Sequence, residues 1–355
     1  MLGEMMVDFY DLAEKALAME RAGKKVIRLN VGDTNLPTPR CAVDAAINSI
    51  STTKAGYGPA AGLEEFRKKI AEREKCKIEN VVVGPGVKAL LFGLLSIIGK
   101  KRVFLPKPYW PAFEMISKKH GLQIVPLETT METNWEFEIP KLTAEDAIII
   151  CNPLNPTSTV YDEELIRKTI KKANEVGAEV ILDETYKGLV FKEIPGYENA
   201  IRLRSFSKEF SMEGWRLGYA VAPKEIVDKI TKFNQITITC VPQFIQKAGL
   251  ACLENEKGIL QDNRKIWMER TALAQKMLAK TGFEFAKPNA GMYIFVTHPK
   301  ITDGDNFAEK LLEQGVVVAP GSEFGCRRFV RICTNKNSVE LEDAINKIVH
   351  QLTHL

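Results

Sequence analysis

Between about residues 78 and 222 the chain alternates short, continuous apolar runs with longer amphipathic ones, and this rhythm restricts the possible folds most. Val81-Val82-Val83, Val103-Phe104-Leu105, Ile124-Val125, Ile148-Ile149-Ile150, Val180-Ile181-Leu182 and Tyr219-Ala220-Val221 read as strands. Unbroken apolarity, in place of alternation, marks strands that are covered on both faces. The segments between them carry helical spacing. One opens at Glu163-Glu164-Leu165-Ile166 behind Asp162, which is placed to cap it. Strand–helix–strand alternation predicts an α/β fold, a three-layer arrangement around a mostly parallel sheet with right-handed crossovers.

The remainder differs in pattern. A long charged, helix-prone stretch covers residues 255–281. Gly291-Met292-Tyr293-Ile294-Phe295-Val296, a helix near Asn306–Glu313 and Val316-Val317-Val318 follow, which together suggest a smaller α+β unit. Near the N-terminus Phe9, Leu12, Ala13, Ala16 and Leu17 fall on one helical face. That helix and Leu29-Asn30-Val31-Gly32 are expected to join the smaller unit. A chain of 355 residues accommodates two domains. The expected division is a large domain over 40–250 and a discontinuous small one over 1–39 and 251–355.

Charge and cysteine usage narrow the functional classes. The formal net charge is only +4, and basic doublets such as Lys24-Lys25 and Lys171-Lys172 are scattered among acids. No basic stripe interleaved with aromatics argues for nucleic acid. The 7 cysteines include no Cys-x-x-Cys pair, as expected of reduced thiols in a cytoplasmic protein. The four histidines, His120, His298, His350 and His354, form no metal-ligand motif. Glu4 and Asp8 interrupt the N-terminal apolar region, which argues against a signal peptide. The apolar run Ala89–Ile98 is too short to span a bilayer.

Polar clusters stand directly after three of the strands, where ligands of open α/β sheets bind. They are Cys151-Asn152-Pro153-Leu154-Asn155-Pro156-Thr157, Asp183-Glu184-Thr185-Tyr186 and the segment Ser205-Phe206-Ser207-Lys208-Glu209-Phe210-Ser211-Met212-Glu213-Gly214-Trp215-Arg216-Leu217-Gly218-Tyr219. Taken singly, Asn-Pro marks a turn, a strand-end aspartate caps a helix and a lysine is a solvated charge. In this order they suggest more. A lysine can form a Schiff base with an aldehyde, while a serine and an arginine can hold a phosphate. Pyridoxal phosphate carries both groups.

The lysine segment, down to Gly214-Trp215-Arg216-x-Gly218-Tyr219, resembles the signature of the class I/II, fold-type I pyridoxal-phosphate aminotransferases. The resemblance runs from about residue 25 to 335. It implies that Lys208 carries the cofactor and acts as the catalytic base, and that Ser205 and Arg216 bind the phosphate. It further implies that Asp183 pairs with the pyridine nitrogen, a buried carboxylate kept ionised by that partner. Asn155 and Tyr186 would bind the phenolic oxygen. Gly84-Pro85-Gly86-Val87-Lys88 opens a helix, and the resemblance makes Gly86, Val87 and Lys88 part of the phosphate site. Trp110, in Pro108-Tyr109-Trp110-Pro111, would stack on the ring, and Tyr57 would reach the phosphate of a neighbouring subunit, implying a homodimer.

Arg331, inside the apolar strand Phe329-Val330-Arg331-Ile332-Cys333, needs an anion, and the family uses the matching arginine for the substrate α-carboxylate. Asn30-Val31-Gly32-Asp33-Thr34-Asn35-Leu36-Pro37-Thr38-Pro39 resembles the family's Gly-x-Pro-Asp-Phe-Pro-Thr-Pro, with Gly32 letting backbone approach the substrate. Departures are Ser158 for the glycine of Asn-Pro-Thr-Gly, Leu36 for an aromatic, and changes at Asp33 and Thr34. Asp33, Arg40 and Lys54 stand where an acidic side chain could be met. The expected reaction moves an amino group between an L-amino acid and a 2-oxo acid, with glutamate and 2-oxoglutarate as one pair. A β-lyase or another reaction of the same fold is the alternative, and a non-catalytic regulator a third.

Overall fold

The computed structural model describes the backbone of residues 7–52 and 56–354, and their side chains except those of 7–11 and 13. Its strands are β1 (Ile27–Arg28), β2 (Val81–Gly84), β3 (Arg102–Pro106), β4 (Gln123–Leu127), β5 (Asp146–Cys151) and β6 (Glu179–Asp183). They continue with β7 (Ile201–Ser205), β8 (Gly218–Val221), β9 (Tyr293–Val296), β10 (Val316–Val317), β11 (Ala319–Pro320) and β12 (Val330–Cys333). Seven of them form the central sheet, in the order β2-β8-β7-β6-β5-β3-β4. Only β8 runs against its neighbours, pairing antiparallel with both β2 and β7. The mostly parallel sheet expected from the apolar rhythm is therefore present.

Both faces of this sheet are packed. Val82 and Ala220 enter one hydrophobic cluster with the helices Val87–Ile97 and Glu163–Val176. Their strand neighbours Val81, Val83, Tyr219 and Val221 enter another with Phe66, Phe206 and Phe210. Successive side chains of a strand point to opposite faces, so unbroken apolar runs feed two cores at once. Asp162 caps the helix Glu163–Val176 as expected, accepting from the N–H groups of Glu164 and Leu165.

A further cluster gathers the N-terminal Leu12, Ala16, Ile27 and Leu29 with Phe307, Leu311, Val330 and Ile345. It lies over a three-stranded antiparallel sheet β11-β12-β9 and the parallel pair β1–β10. The helix Glu256–Ala279 contributes Trp267 to the large core and Ala274 and Leu278 to this one. Leu17 departs from expectation, being 41% exposed beyond the edge of the N-terminal helix's buried stripe. Glu4 and the side chains of Asp8, Phe9 and Ala13 lie outside the described residues. Among the described residues no helix is long and apolar enough to cross a membrane.

Candidate active site

A cavity of about 320 Å³ opens where β2, β3, β5, β6 and β7 end. All the residues expected at the site line it except Gly86 and Tyr57. Each arrives from a different element: Asn155 follows β5, Asp183 ends β6, Ser205 ends β7, and Arg331 projects from β12. Lys208 sits in the single turn Phe206–Glu209, which Ser205 caps by accepting the N–H of Ser207.

Asp183 is buried, and Oδ1 accepts from both the N–H and the hydroxyl of Thr185, at 3.0 and 2.6 Å. Burial pushes its carboxyl up to about 6 against those two hydrogen bonds. Among the described residues no cation forms an ion pair with it. The missing charge is what a protonated pyridine nitrogen would supply, so the residues present fit pyridoxal phosphate.

The phosphate end fits as well. Gly86 precedes the helix Val87–Ile97 at φ 92° and ψ 163°, a conformation essentially confined to glycine. A Cβ there would stand 2.7 Å from Nη2 of Arg216, so the glycine lets this guanidinium lie against the helix N-terminus. The helix end offers free N–H groups and a positive dipole to an anion. Partial burial and, after it, the charge of Arg216 lower the Lys88 ammonium, whose Nζ lies 5.0 Å from the Trp110 ring centroid.

At the substrate end, Nη1 of Arg331 donates to Oδ1 of Asn155 at 2.8 Å and Nη2 to the carbonyl of Asn30 at 2.5 Å. Its guanidinium carbon lies 4.3 and 4.8 Å from the Tyr293 and Phe324 ring centroids, and among the described residues its buried Nε has no hydrogen-bond partner. Nδ2 of Asn155 donates to the Tyr186 hydroxyl, which lies 3.0 Å from that of Tyr293. Burial above all raises Tyr186 well above the ordinary phenol range.

Some expectations need revision. Gly32 lines the cavity as expected, and a Cβ on it would fall 1.9 Å from the Tyr293 hydroxyl, so the glycine also makes room for a side chain of the protein itself. Ser158 stands where the family motif has glycine. It takes the left-handed conformation, φ 56°, and its hydroxyl accepts the N–H of Tyr293 at 2.9 Å. Asp33 lines the cavity. Arg40 is exposed and paired with Asp44, away from the cavity, and Lys54 lies outside the described residues. Sequence reasoning also passed over Tyr293, Ser207 and Asn30, which line the cavity. Tyr293 read only as a strand residue, and Ser207 was visible just as the second hydroxyl before the lysine.

Sheet, cavity and donor set define a pyridoxal-phosphate enzyme of the fold-type I architecture. Aminotransferase class I and II is the family whose model matches residues 24–348, and the chain belongs to that family. It is 36% identical over 318 residues to an aspartate aminotransferase of Thermococcus kodakarensis, covering 88% of this chain and 85% of that protein. It is 31% identical to the (5-formylfuran-3-yl)methyl phosphate transaminase of Methanocaldococcus jannaschii, over 97% and 95% of the two chains. The solved aspartate aminotransferase of Thermotoga maritima superimposes with a TM-score of 0.92 at 27% identity, over 99% of each chain. This protein is a pyridoxal-phosphate-dependent aminotransferase, acting on an amino acid and an oxo acid.

Proposed function

We propose that glutamate and 2-oxoglutarate form one of its substrate pairs and that Lys208 is the residue that carries the cofactor. Aspartate is the first other donor to test, because relatives of both kinds above are named aspartate aminotransferases. The observation that carries the reading is the convergence of Lys208, Asp183 and Arg331 on one cavity from the turn after β7, from β6 and from β12.

When bound, pyridoxal phosphate supplies an aldehyde for Lys208 and an electron sink for the substrate α-carbon. Arg331 takes the α-carboxylate, a task that suits its planar fork. Lys208 would hold the cofactor through its Nζ. Its free amine would be the base that takes the substrate α-proton and the acid that gives it back, work that one positioned group can perform. Asp183, oriented by Thr185, would meet the ring-nitrogen proton. Asn155 and Tyr186 offer donors to the phenolic oxygen, and Trp110 gives the ring a stacking surface. Ser205, Arg216 and the Gly86-Val87-Lys88 helix start would hold the phosphate.

Tyr57, 88% exposed in the single chain, completes the neighbouring site of a cytoplasmic homodimer in this reading. Residues 40–250 form its cofactor-binding domain, and 1–39 with 251–355 the smaller one. Borohydride reduction followed by peptide mapping tests the assignment. The pyridoxyl tag is expected on Lys208, and a tag on another lysine, or none, overturns it. Adding glutamate should convert the cofactor to its amine form. Release of ammonia and pyruvate from a β-substituted amino acid, without that conversion, would mean lyase chemistry.

A further inference from the structure

Among the described residues Lys208 forms one ion pair, with Glu213, whose Oε1 lies 3.6 Å from its Nζ. The same oxygen accepts the backbone N–H of Thr34 at 2.7 Å. The main-chain carbonyl of Glu213 accepts from Nη1 of Arg216 at 2.8 Å. One residue thus touches the lysine, the phosphate-side arginine and the N-terminal segment that carries Gly32 and Asp33. The amide is informative. The family segment has proline where this chain has Thr34, and proline has no N–H to give. Acceptor and donor therefore occur together in this chain.

The charges around the amine come from several elements. Glu213 approaches from the lysine's own segment, Asp33 from the N-terminal segment, and the Cys333 thiol from β12. Arg331 on β12, Asp183 at the end of β6, Lys88 and Arg216 line the same cavity. Burial lowers the Lys208 ammonium, while Glu213 and then Asp33 oppose that effect.

We propose that Glu213 is a positioning residue for Lys208: its carboxylate favours the protonated form of the lysine nitrogen and, held by the Thr34 amide, fixes the N-terminal segment beside it. The proposal rests on Lys208 being the cofactor lysine. Its geometry separates two effects, because a glutamine at 213 keeps an oxygen for the Thr34 amide but loses the charge.

The test is a pH titration of the holoenzyme. It reads the visible absorbance that reports protonation of the nitrogen joining Lys208 to its cofactor. In Glu213→Gln the midpoint should fall by about one pH unit or more, as expected when an opposite charge at this range is removed. Thr34→Ala keeps the N–H and should leave the midpoint in place, whereas Thr34→Pro removes it and should lower the midpoint. An unmoved midpoint in Glu213→Gln overturns the proposal. An unmoved one in Thr34→Pro overturns the role of the amide, and this pair decides the matter should Glu213→Gln not fold. Native protein without that absorbance overturns the Lys208 assignment instead.

Discussion

Arg331 and Asn155 stand 176 positions apart in sequence, yet Nη1 of the first donates to Oδ1 of the second at 2.8 Å inside the cavity. The residue assigned to the substrate carboxylate thereby orients the residue assigned to the cofactor's phenolic oxygen. Arg331→Leu removes a buried, hydrogen-bonded charge, a loss of roughly 2–5 kcal/mol in binding terms. The expected result is a fall in kcat/KM of about a hundredfold or more for every amino-acid donor. Arg331→Lys should rescue little, because an ammonium cannot reproduce the planar fork held between Tyr293 and Phe324. Single-turnover rates with glutamate measure both.

Asp183 is expected to lower the stability of the cofactor-free protein. Its carboxyl is raised from 3.8 to about 6, chiefly by burial, so folding favours its protonated form. A raised carboxyl gives no penalty below the unfolded value near 4 and its full penalty above about 6. Asp183→Asn should therefore make the stripped protein more stable by on the order of 3 kcal/mol above pH 6. The gain should vanish as the pH falls through that window. The same change should weaken cofactor binding and turnover, since it removes the anion that meets the ring nitrogen. Urea unfolding of stripped and loaded protein across pH 4–8 checks the sign of each effect.

The sheet and most of the site could be read from sequence because both follow from short-range rules. Apolar runs of a few residues identify buried strands, and the polar residues just after them fall at the sheet's carboxyl edge. Contacts between distant segments left no such mark. Tyr293 reaches Tyr186 because Gly32, far away in sequence, has no side chain in its path. An arginine in an apolar strand was also an ambiguous signal. It points to a ligand site at Arg331, but Arg202 and Arg204 on β7 are equally buried and meet protein carboxylates instead. Sequence alone does not say whether the anion that an arginine requires belongs to the fold or to a substrate.

Gly86→Ala should separate cofactor affinity from folding. The new Cβ would meet Nη2 of Arg216, the far end of a flexible side chain that can move away from the helix N-terminus. The backbone there, at φ 92°, would add strain of about 1–3 kcal/mol. The chain should still fold, with the cofactor dissociation constant raised about tenfold or more as the guanidinium leaves the phosphate site. Equilibrium dialysis against pyridoxal phosphate, alongside thermal unfolding of the stripped protein, measures the two effects independently.

Directly behind Lys208, Glu209 is buried with a carboxylate that has three donors: Nη2 of Arg204 at 2.6 Å, Nη2 of Arg73 at 2.7 Å and the N–H of Gly188 at 2.9 Å. Glu74 joins the same network. Its burial would raise it, but Arg204, Arg202 and Arg73 overcome this and hold it at about 2. A depressed carboxyl contributes stability that is complete above the unfolded value near 4.5 and lost as the pH falls towards 2. Arg204→Ala leaves Glu74 and Glu209 short of a counter-charge in a dry interior, a change that typically costs about 3–5 kcal/mol. That loss should appear in urea unfolding at pH 7 and shrink under acid, as Glu74 becomes neutral. The visible absorbance of the loaded enzyme should keep its pH midpoint, since Arg204 does not line the cavity that holds Lys208. A loss below about 1 kcal/mol would mean that water already solvates these charges.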